Sequence, residues 1–142
     1  MKLYLDTNIV TYFLYNRDEL SLEVSELLFD YANILFTSSI CVQELIHLTQ
    51  IGKVQKVVSG KHKPIDPITV INTISDAGID IVPVEERHLS QLASLPLNDD
   101  HRDPNDRLII AQAISDRTAL ISSDHKFSQY KKYGLDFIMN KR

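Results

Sequence analysis

The chain has 142 residues, of which 44% are hydrophobic and 24% charged, and its formal net charge at pH 7 is −4. This length suffices for one domain with its own core, so we expect a single domain over residues 1–142. The acidic balance excludes a general nucleic-acid coat protein, and the single cysteine excludes a disulfide framework or a cysteine metal cluster. An acid at position 6 excludes a signal peptide, and no apolar run approaches the roughly 20 residues of a membrane span. We therefore expect a cytoplasmic protein with no membrane partner.

The first half of the chain alternates predicted strands with predicted helices. Residues 2–6 alternate like a short strand and lead into an amphipathic helix, "TNIVTYFLYN". A second helix is predicted over 19–32, followed by a strand in "NILFTSS" and a third helix in "ICVQELIHLTQI". Residues 52–67, with two Gly, two Pro and four Lys, are predicted to be the least regular part.

The second half continues the same alternation. A helix is predicted in "ITVINTISDAG", ending at Gly78, and a third strand in "IDIVPV". "EERHLSQLASL" predicts a helix, and after a polar loop "DPNDRLIIAQAIS" predicts another. Two further strands, "TALIS" and "LDFIM", flank a short turn or helix. This order predicts an α/β fold with a central, mostly parallel sheet of four to five strands, covered by helices on both faces.

Two acids lie on the apolar faces of predicted helices. In the helix that Asp103 is placed to cap, a helical wheel puts Asp106 between Ala113 and Ile110. Glu44 also lies outside the polar arc of its helix. A buried, unpaired carboxylate either costs several kcal/mol or takes up a proton. Asp106 could instead help to cap its helix, whereas a glutamate in a helix interior has no capping role.

Two more acids, Asp6 and Asp124, each follow a predicted strand. Either one alone is readily explained as a cap of the next helix or turn. Parallel strands, however, place their carboxyl ends at one edge of the sheet, where ligands bind, so all four acids can converge there. Such a cluster requires protons or a cation, and oxygen ligands suit Mg²⁺ or Mn²⁺. The four acids therefore predict a divalent metal site of the kind that cleaves phosphodiesters.

Four stretches, in this order along the chain, resemble the motifs of the PIN-domain family. These are "LYLDTNIV", "SSICVQELIHL", "HRDPNDRLIIAQA" and "ALISSDHKFSQY". The resemblance implies a PIN-like three-layer α/β/α sandwich whose catalytic and metal-binding acids are Asp6, Glu44, Asp106 and Asp124. It also implies a Mg²⁺- or Mn²⁺-dependent ribonuclease.

The residues of the third motif and the short length of the chain resemble most the VapC toxins of type II toxin–antitoxin pairs. In that group the toxin cleaves cellular RNA, is held inactive by a partner antitoxin and usually forms a homodimer. The resemblance therefore implies an RNA substrate, a cognate antitoxin protein as partner and a homodimer.

We expect Asp6, Asp106 and Asp124 to supply most direct or water-mediated metal contacts. Glu44 is expected to orient a metal-bound water or to help hold a second ion. The neighbouring residues that could orient ligands or contact substrate are Thr7, Asn8, Asp103, Ser122, Arg102 and Arg107. The two arginines could hold RNA phosphates or could equally be solvated surface charges. The lysines of residues 53–63 could likewise contact RNA or simply solvate a loop.

Other functions remain open at this point. One alternative is a non-catalytic PIN-like RNA-binding or scaffold domain. Another is a phosphatase or receiver domain that forms an aspartyl phosphate, but such a phosphatase usually has a second Asp where this chain has Asn8. His47 and His101 lie near predicted acids, but the sequence does not pair them as ligands.

Overall fold

A parallel sheet organises the described part of the chain, residues 1–98 and 100–141, in this computed structural model. Those residues form the strands β1 (Lys2–Leu5), β2 (Ile34–Ser38), β3 (Gln55–Val58), β4 (Lys61–Pro64), β5 (Ile79–Val82), β6 (Ala119–Ser122) and β7 (Phe137–Met139). Five of them form the main sheet in the order β5-β2-β1-β6-β7, and every neighbouring pair is parallel. The other two, β3 and β4, form a separate antiparallel hairpin.

Helices cover both faces of the main sheet. The α-helices of the described residues are α1 (Thr7–Tyr15), α2 (Leu22–Phe29), α3 (Ser39–Gln50), α4 (Val70–Asp76), α5 (Glu86–Ser94) and α6 (Pro104–Ser115). Short 3-10 helices lie at Arg17–Glu19, Pro67–Thr69 and His125–Tyr133. The predicted three-layer α/β/α sandwich with a central parallel sheet is confirmed, and its five strands are those predicted. Each helix within the described residues is too short or too polar to span a bilayer.

Alternating side chains of β1 enter two hydrophobic cores on opposite faces of the sheet. Leu3 and Leu5 are fully buried in a core shared with α1, α2, α3 and α4. Tyr4 lies between them in sequence, belongs to the other core and packs there with residues of α6 such as Ile110. A strand covered by helices on both faces requires apolar side chains at consecutive positions. Packing in both cores holds β1 in place, and so it also sets the position of the sheet edge where β1 ends.

The second helix is shorter than the predicted range of 19–32. It begins after Ser21, whose hydroxyl accepts a hydrogen bond from the Val24 amide at 3.2 Å. It ends at Asp30, whose carboxylate accepts the Ala32 amide at 2.9 Å in the turn before β2. Short polar side chains that satisfy nearby backbone amides compete with the helix, and here they set both of its ends.

The β3–β4 hairpin occupies the stretch for which the sequence predicts the least regularity. Ser59 and Gly60 at its tip have φ angles of 53° and 75°. Two positive φ angles in succession are what a type I′ hairpin turn requires, and glycine adopts such angles freely. Both strands are exposed along their whole length. The sequence does not predict them, because an exposed hairpin lacks the apolar alternation of a half-buried strand.

A polar network joins α5 and α6 to the sheet at the end of α6. Asp116 accepts hydrogen bonds from the Tyr4 hydroxyl at 2.6 Å and from Nε of Arg87 at 3.0 Å. His88 Nδ1 accepts the Glu85 amide at 2.9 Å, so its Nε2 carries the hydrogen and donates to Asp116 at 3.0 Å. Burial alone would raise the pKa of Asp116, but the hydrogen bonds that it accepts outweigh burial and lower the pKa. The network fixes the C-terminal end of α6.

Candidate metal centre

An acidic cleft lies at the carboxyl-terminal edge of β1 and β6. Asp6 directly follows β1, and Asp124 lies just beyond β6, which is its parallel neighbour. The other two acids lie on helices, Glu44 in α3 and Asp106 in the first turn of α6. All four predicted acids line this one cleft of about 340 Å³. Its walls in the described residues are formed by Asp6, Thr7, Asn8, Thr11, Tyr12, Glu44, Leu48, Val54, Asp106 and Asp124.

Asp6 is the most deeply buried of the four acids, with 5% of its surface exposed. Its Oδ1 accepts a hydrogen bond from the Thr7 amide at 2.8 Å, and its Oδ2 accepts one from the Ser122 hydroxyl at 2.7 Å. Burial raises the pKa of this carboxyl to about 7 against the opposing effect of these hydrogen bonds. The charges of Asp106 and Glu44 add to the rise. A negative charge here is therefore costly unless a cation accompanies it.

Asp106 faces the cleft from the first turn of α6. Asp103 caps this helix, since its Oδ1 accepts the amides of Asn105 and Asp106 at 2.9 and 3.3 Å. Burial raises the pKa of Asp106 to about 6, and the charge of Asp103 adds to the rise, while His101 opposes it. Asp103 thus holds the start of the helix and adds negative charge next to the cleft.

The closest group of possible ligands includes a histidine that the sequence does not pair with the acids. One donor atom each from His101, Asp106 and Asp124 lies within 4.8 Å of the other two. His101 is buried, with its Nε2 3.3 Å from Oδ2 of Asp106 and its Nδ1 2.8 Å from the Tyr130 hydroxyl. Among the residues that the structure describes, no other set of three such donors is as compact. Asp6 and Glu44 line the same cleft outside this group.

Polar side chains next to the acids hold the carboxylates in place. The Ser122 hydroxyl donates to Asp6 and accepts the Asp124 amide at 3.0 Å, so it joins the two acids. The Asn8 amide group donates to Asp6 at 3.4 Å, and its oxygen accepts a backbone amide of the loop after β6 at 3.2 Å. The buried Thr7 hydroxyl has no hydrogen-bond partner within the described residues. Asn8 and Ser122 therefore link the loops that follow β1 and β6.

Arg107 is placed differently from the prediction. It is 6% exposed, and its guanidinium donates to the Pro96 carbonyl at 2.9 Å and the Leu95 carbonyl at 3.0 Å. This corrects the prediction of a phosphate contact, because the guanidinium is buried against the backbone of the preceding loop. It also corrects the alternative of a solvated surface charge. Arg102, the other arginine considered, is exposed.

Replacing Arg107 by Met is expected to destabilise the protein by about 2–4 kcal/mol, because two backbone carbonyls lose their charged donor. Urea unfolding followed by circular dichroism measures this loss. Arg117→Met, at an exposed position, is the matched control and is expected to change stability by less than about 0.5 kcal/mol. An Arg107→Met protein as stable as this control would contradict the structural role.

The donor set of the cleft fits a divalent metal ion. Carboxylate oxygens, with one imidazole nitrogen nearby, are donors that Mg²⁺ and Mn²⁺ accept. The described residues that form the walls include no lysine or arginine to balance the acids. The raised pKa values of Asp6 and Asp106 reflect this uncompensated burial of charge. The acidic cluster can therefore bind a metal ion.

Comparison with known proteins identifies the family. A family model of the PIN domain matches residues 3–133, a range that includes all four acids of the cleft. The chain belongs to the PIN-domain family. No curated protein is significantly similar to it.

Solved structures resemble this PIN domain over nearly its whole length. VapBC2 from Rickettsia felis, bound to a DNA fragment from their promoter, is 18% identical with a TM-score of 0.67, covering 99% of this chain and 100% of that one. VapBC-1 from nontypeable Haemophilus influenzae is 21% identical with a TM-score of 0.64, covering 100% of both chains. DNA-bound VapBC from Salmonella typhimurium is 14% identical with a TM-score of 0.68, covering 99% of both. At these identities the likeness shows the fold alone.

Proposed function

We propose that this PIN domain is an endoribonuclease that hydrolyses RNA phosphodiester bonds with Mg²⁺ or Mn²⁺. The observation that supports this proposal is the convergence of four carboxylates from four separate segments on one cleft. Like charges that are partly buried together destabilise a fold, and a domain that only bound RNA or served as a scaffold would gain nothing from them. Membership of the PIN-domain family, whose members are generally nucleases, supports the same activity.

The acids take distinct roles in this proposal. Asp106 and Asp124, whose donor atoms lie within 4.8 Å of each other, would hold the ion. Asp6, whose two oxygens accept hydrogen bonds from Thr7 and Ser122, would hold the ion together with those two acids, either directly or through water. Glu44 orients the attacking water or helps to hold a second ion. Ser122 and Asn8 keep the carboxylates in position.

A bound divalent ion supplies a water of lowered pKa and offsets the negative charge of the phosphate and of the leaving oxygen. The attacking water oxygen forms a bond to phosphorus while the bond to the 3′ oxygen breaks. The proton of the water leaves by way of the Glu44 carboxylate to solvent, and the 3′ oxygen takes up a proton as it departs. The products are a 5′-phosphate and a 3′-hydroxyl.

We propose further that the chain is the toxin of a VapBC-type pair. In this proposal residues 1–142 are one domain that acts in the cytoplasm, forms a homodimer and is inhibited by an antitoxin. The support is that the similar solved structures include three VapBC proteins and a toxin–antitoxin complex, each matched over at least 98% of its chain. A short protein encoded beside this gene is expected to bind the chain and suppress RNA cleavage in a reconstitution assay.

RNA cleavage with and without metal tests the nuclease proposal. The wild type is expected to cut total cellular RNA with Mg²⁺ or Mn²⁺ and to stop when EDTA is added. Asp106→Asn is expected to reduce the rate by about 100-fold or more, because a metal contact worth several kcal/mol is lost. Gel electrophoresis of end-labelled RNA gives the rate and the chemistry of the new ends.

The control for charge removal is Asp80→Asn, at an exposed position on β5, which is expected to cleave at the wild-type rate. Cleavage that persists in EDTA, or that Asp106→Asn leaves intact, would contradict the mechanism. Binding of RNA without cleavage under all metal conditions would favour the non-catalytic RNA-binding or scaffold alternative. A stable phosphate adduct on Asp6 would instead indicate a phosphatase or receiver domain.

A further inference from the structure

We propose that His101 is a ligand of the metal ion in this cleft, so that the centre combines nitrogen and oxygen donors and prefers Mn²⁺ to Mg²⁺. The proposal rests on the nuclease function above, because it concerns the same cleft. It starts from the compact group formed by His101, Asp106 and Asp124, whose donor atoms lie within 4.8 Å of one another. Ligands bonded to one ion at about 2.0–2.2 Å lie at such mutual distances.

The imidazole of His101 is held in a fixed orientation toward the acids. The residue is 5% exposed, and its ring makes edge contacts with the rings of Phe127 and Tyr130 at centroid distances of 5.6 and 5.3 Å. Its Nε2 lies 3.3 Å from Oδ2 of Asp106, on the side of the ring that faces the group. Because the surrounding side chains already restrain the ring, little rotamer entropy remains to be lost when an ion binds.

Tyr130 provides the second hydrogen bond that metal-binding histidines generally have. Its hydroxyl lies 2.8 Å from Nδ1 of His101 and 3.4 Å from the His101 backbone carbonyl. When the hydroxyl donates to that carbonyl, Nδ1 carries the ring hydrogen and donates to the tyrosine oxygen. The lone pair of Nε2 is then free to bind a cation. A partner of this kind fixes the tautomer and orients the ring of a metal-binding histidine.

The same contacts also satisfy the ring when no ion is bound. Nε2 then carries the hydrogen and donates to Asp106, while Nδ1 accepts the Tyr130 hydroxyl. When a cation binds, the ring hydrogen would move from Nε2 to Nδ1 by exchange with water, the Tyr130 hydroxyl would turn to the His101 carbonyl, and Nε2 would be free to bind the metal. His101 is thus prearranged both for the free and for the metal-bound protein.

A nitrogen donor changes which ion the centre favours. Mg²⁺ strongly prefers oxygen ligands and retains water, whereas Mn²⁺ and later first-row ions accept imidazole more readily. His101 therefore contributes to Mn²⁺ affinity more than to Mg²⁺ affinity. The sequence alone predicted an all-carboxylate site without this discrimination.

Pulsed electron paramagnetic resonance on bound Mn²⁺ tests the ligand directly, independently of activity. The wild type is expected to show nitrogen-14 modulation of the electron spin echo from a coordinated imidazole. His101→Gln is expected to lose that modulation, whereas His47→Gln, at an exposed position of α3, keeps it. By calorimetry, His101→Gln is expected to weaken Mn²⁺ binding about 10-fold or more and Mg²⁺ binding less than about 3-fold.

Tyr130→Phe retains the aromatic contact with His101 and is the second variant, in case His101→Gln folds poorly. It is expected to keep the nitrogen modulation but weaken Mn²⁺ binding, because Nδ1 loses its partner. Wild-type protein without nitrogen modulation, or His101→Gln with undiminished modulation, would overturn the proposal. Either result leaves the nuclease function intact if the wild type still cuts RNA with Mg²⁺. A wild type that binds neither ion would instead refute that function.

Discussion

Replacing Asp6 by Asn is expected to slow RNA cleavage by about 10²–10³-fold and, without metal, to stabilise the protein. Asn has nearly the same shape, so the fold should persist. Cleavage falls because the negative charge that helps to hold the ion is lost. A bound ion contributes several kcal/mol of charge stabilisation, and each ~1.4 kcal/mol is a factor of ten in rate.

The gain in stability follows from the pKa of Asp6. That pKa is about 7 in the folded protein, against an ordinary value of 3.8. Between these values the folded carboxyl keeps a proton that the unfolded chain has released, so stability from this group is lost as the pH rises through the window. Above pH 7 the wild type bears the unfavourable buried charge, whereas the Asp6→Asn variant bears none at this position. The expected gain of Asp6→Asn at pH 8 is about 1–3 kcal/mol.

Urea unfolding of the metal-free proteins in EDTA at pH 5 and pH 8 measures this effect. The advantage of Asp6→Asn over the wild type is expected to grow between the two pH values. Asp80→Asn removes an exposed carboxylate. Its free energy of unfolding is expected to differ from that of the wild type by nearly the same small amount at pH 5 and at pH 8. An Asp6→Asn variant less stable than the wild type at pH 8 would show that the buried charge of Asp6 does not destabilise the fold.

Divalent metal affinity is expected to fall by about tenfold or more for each unit of pH below pH 6. The pKa of Asp6 is about 7 and that of Asp106 about 6, so both carboxyls hold protons in the metal-free protein at pH 5.5. A cation must displace these protons, because a protonated carboxyl is a poor ligand. Affinity should therefore rise from pH 5.5 to 7.5 and level off above that range.

Calorimetric titration with Mn²⁺ in buffers of different ionisation enthalpy counts the released protons. We expect between one and two protons per ion at about pH 6 from the pKa values of Asp6 and Asp106. Asp6→Asn is expected to release about one fewer. An affinity that stays constant from pH 5.5 to 7.5, with no proton release, would show that the carboxyls are already ionised in the free protein.

Regular secondary structure explains why the four acids could be located from sequence. Glu44 and Asp106 lie among apolar residues at helical spacing, and that spacing alone places them on the inner faces of α3 and α6. Asp6 and Asp124 follow strands whose parallel order brings their carboxyl ends to one edge. The structure places all four along one cleft, as those two periodicities require. Their catalytic and metal-binding roles remain predictions.

The positions of His101 and Arg107 could not be obtained in the same way. His101 lies in the loop before α6, and its partner Tyr130 is 29 residues away on another element. Arg107 lies on α6, but its acceptors are the Leu95 and Pro96 carbonyls, whose positions depend on the path of the loop. No periodic pattern describes an irregular loop. A buried arginine bound to carbonyls and an exposed arginine beside a phosphate therefore look alike in sequence.

The cleft is formed by residues that the ribosome adds at the start of translation and by residues that it adds near the end. Asp6, next to the first strand, is hydrogen-bonded to Ser122, which is 116 residues away. A chain still attached to the ribosome before β6 has emerged lacks both this partner and Asp124, so it has no complete cleft. If the complete chain cuts RNA as proposed, a chain whose translation stops early would not cleave the RNA of the cell.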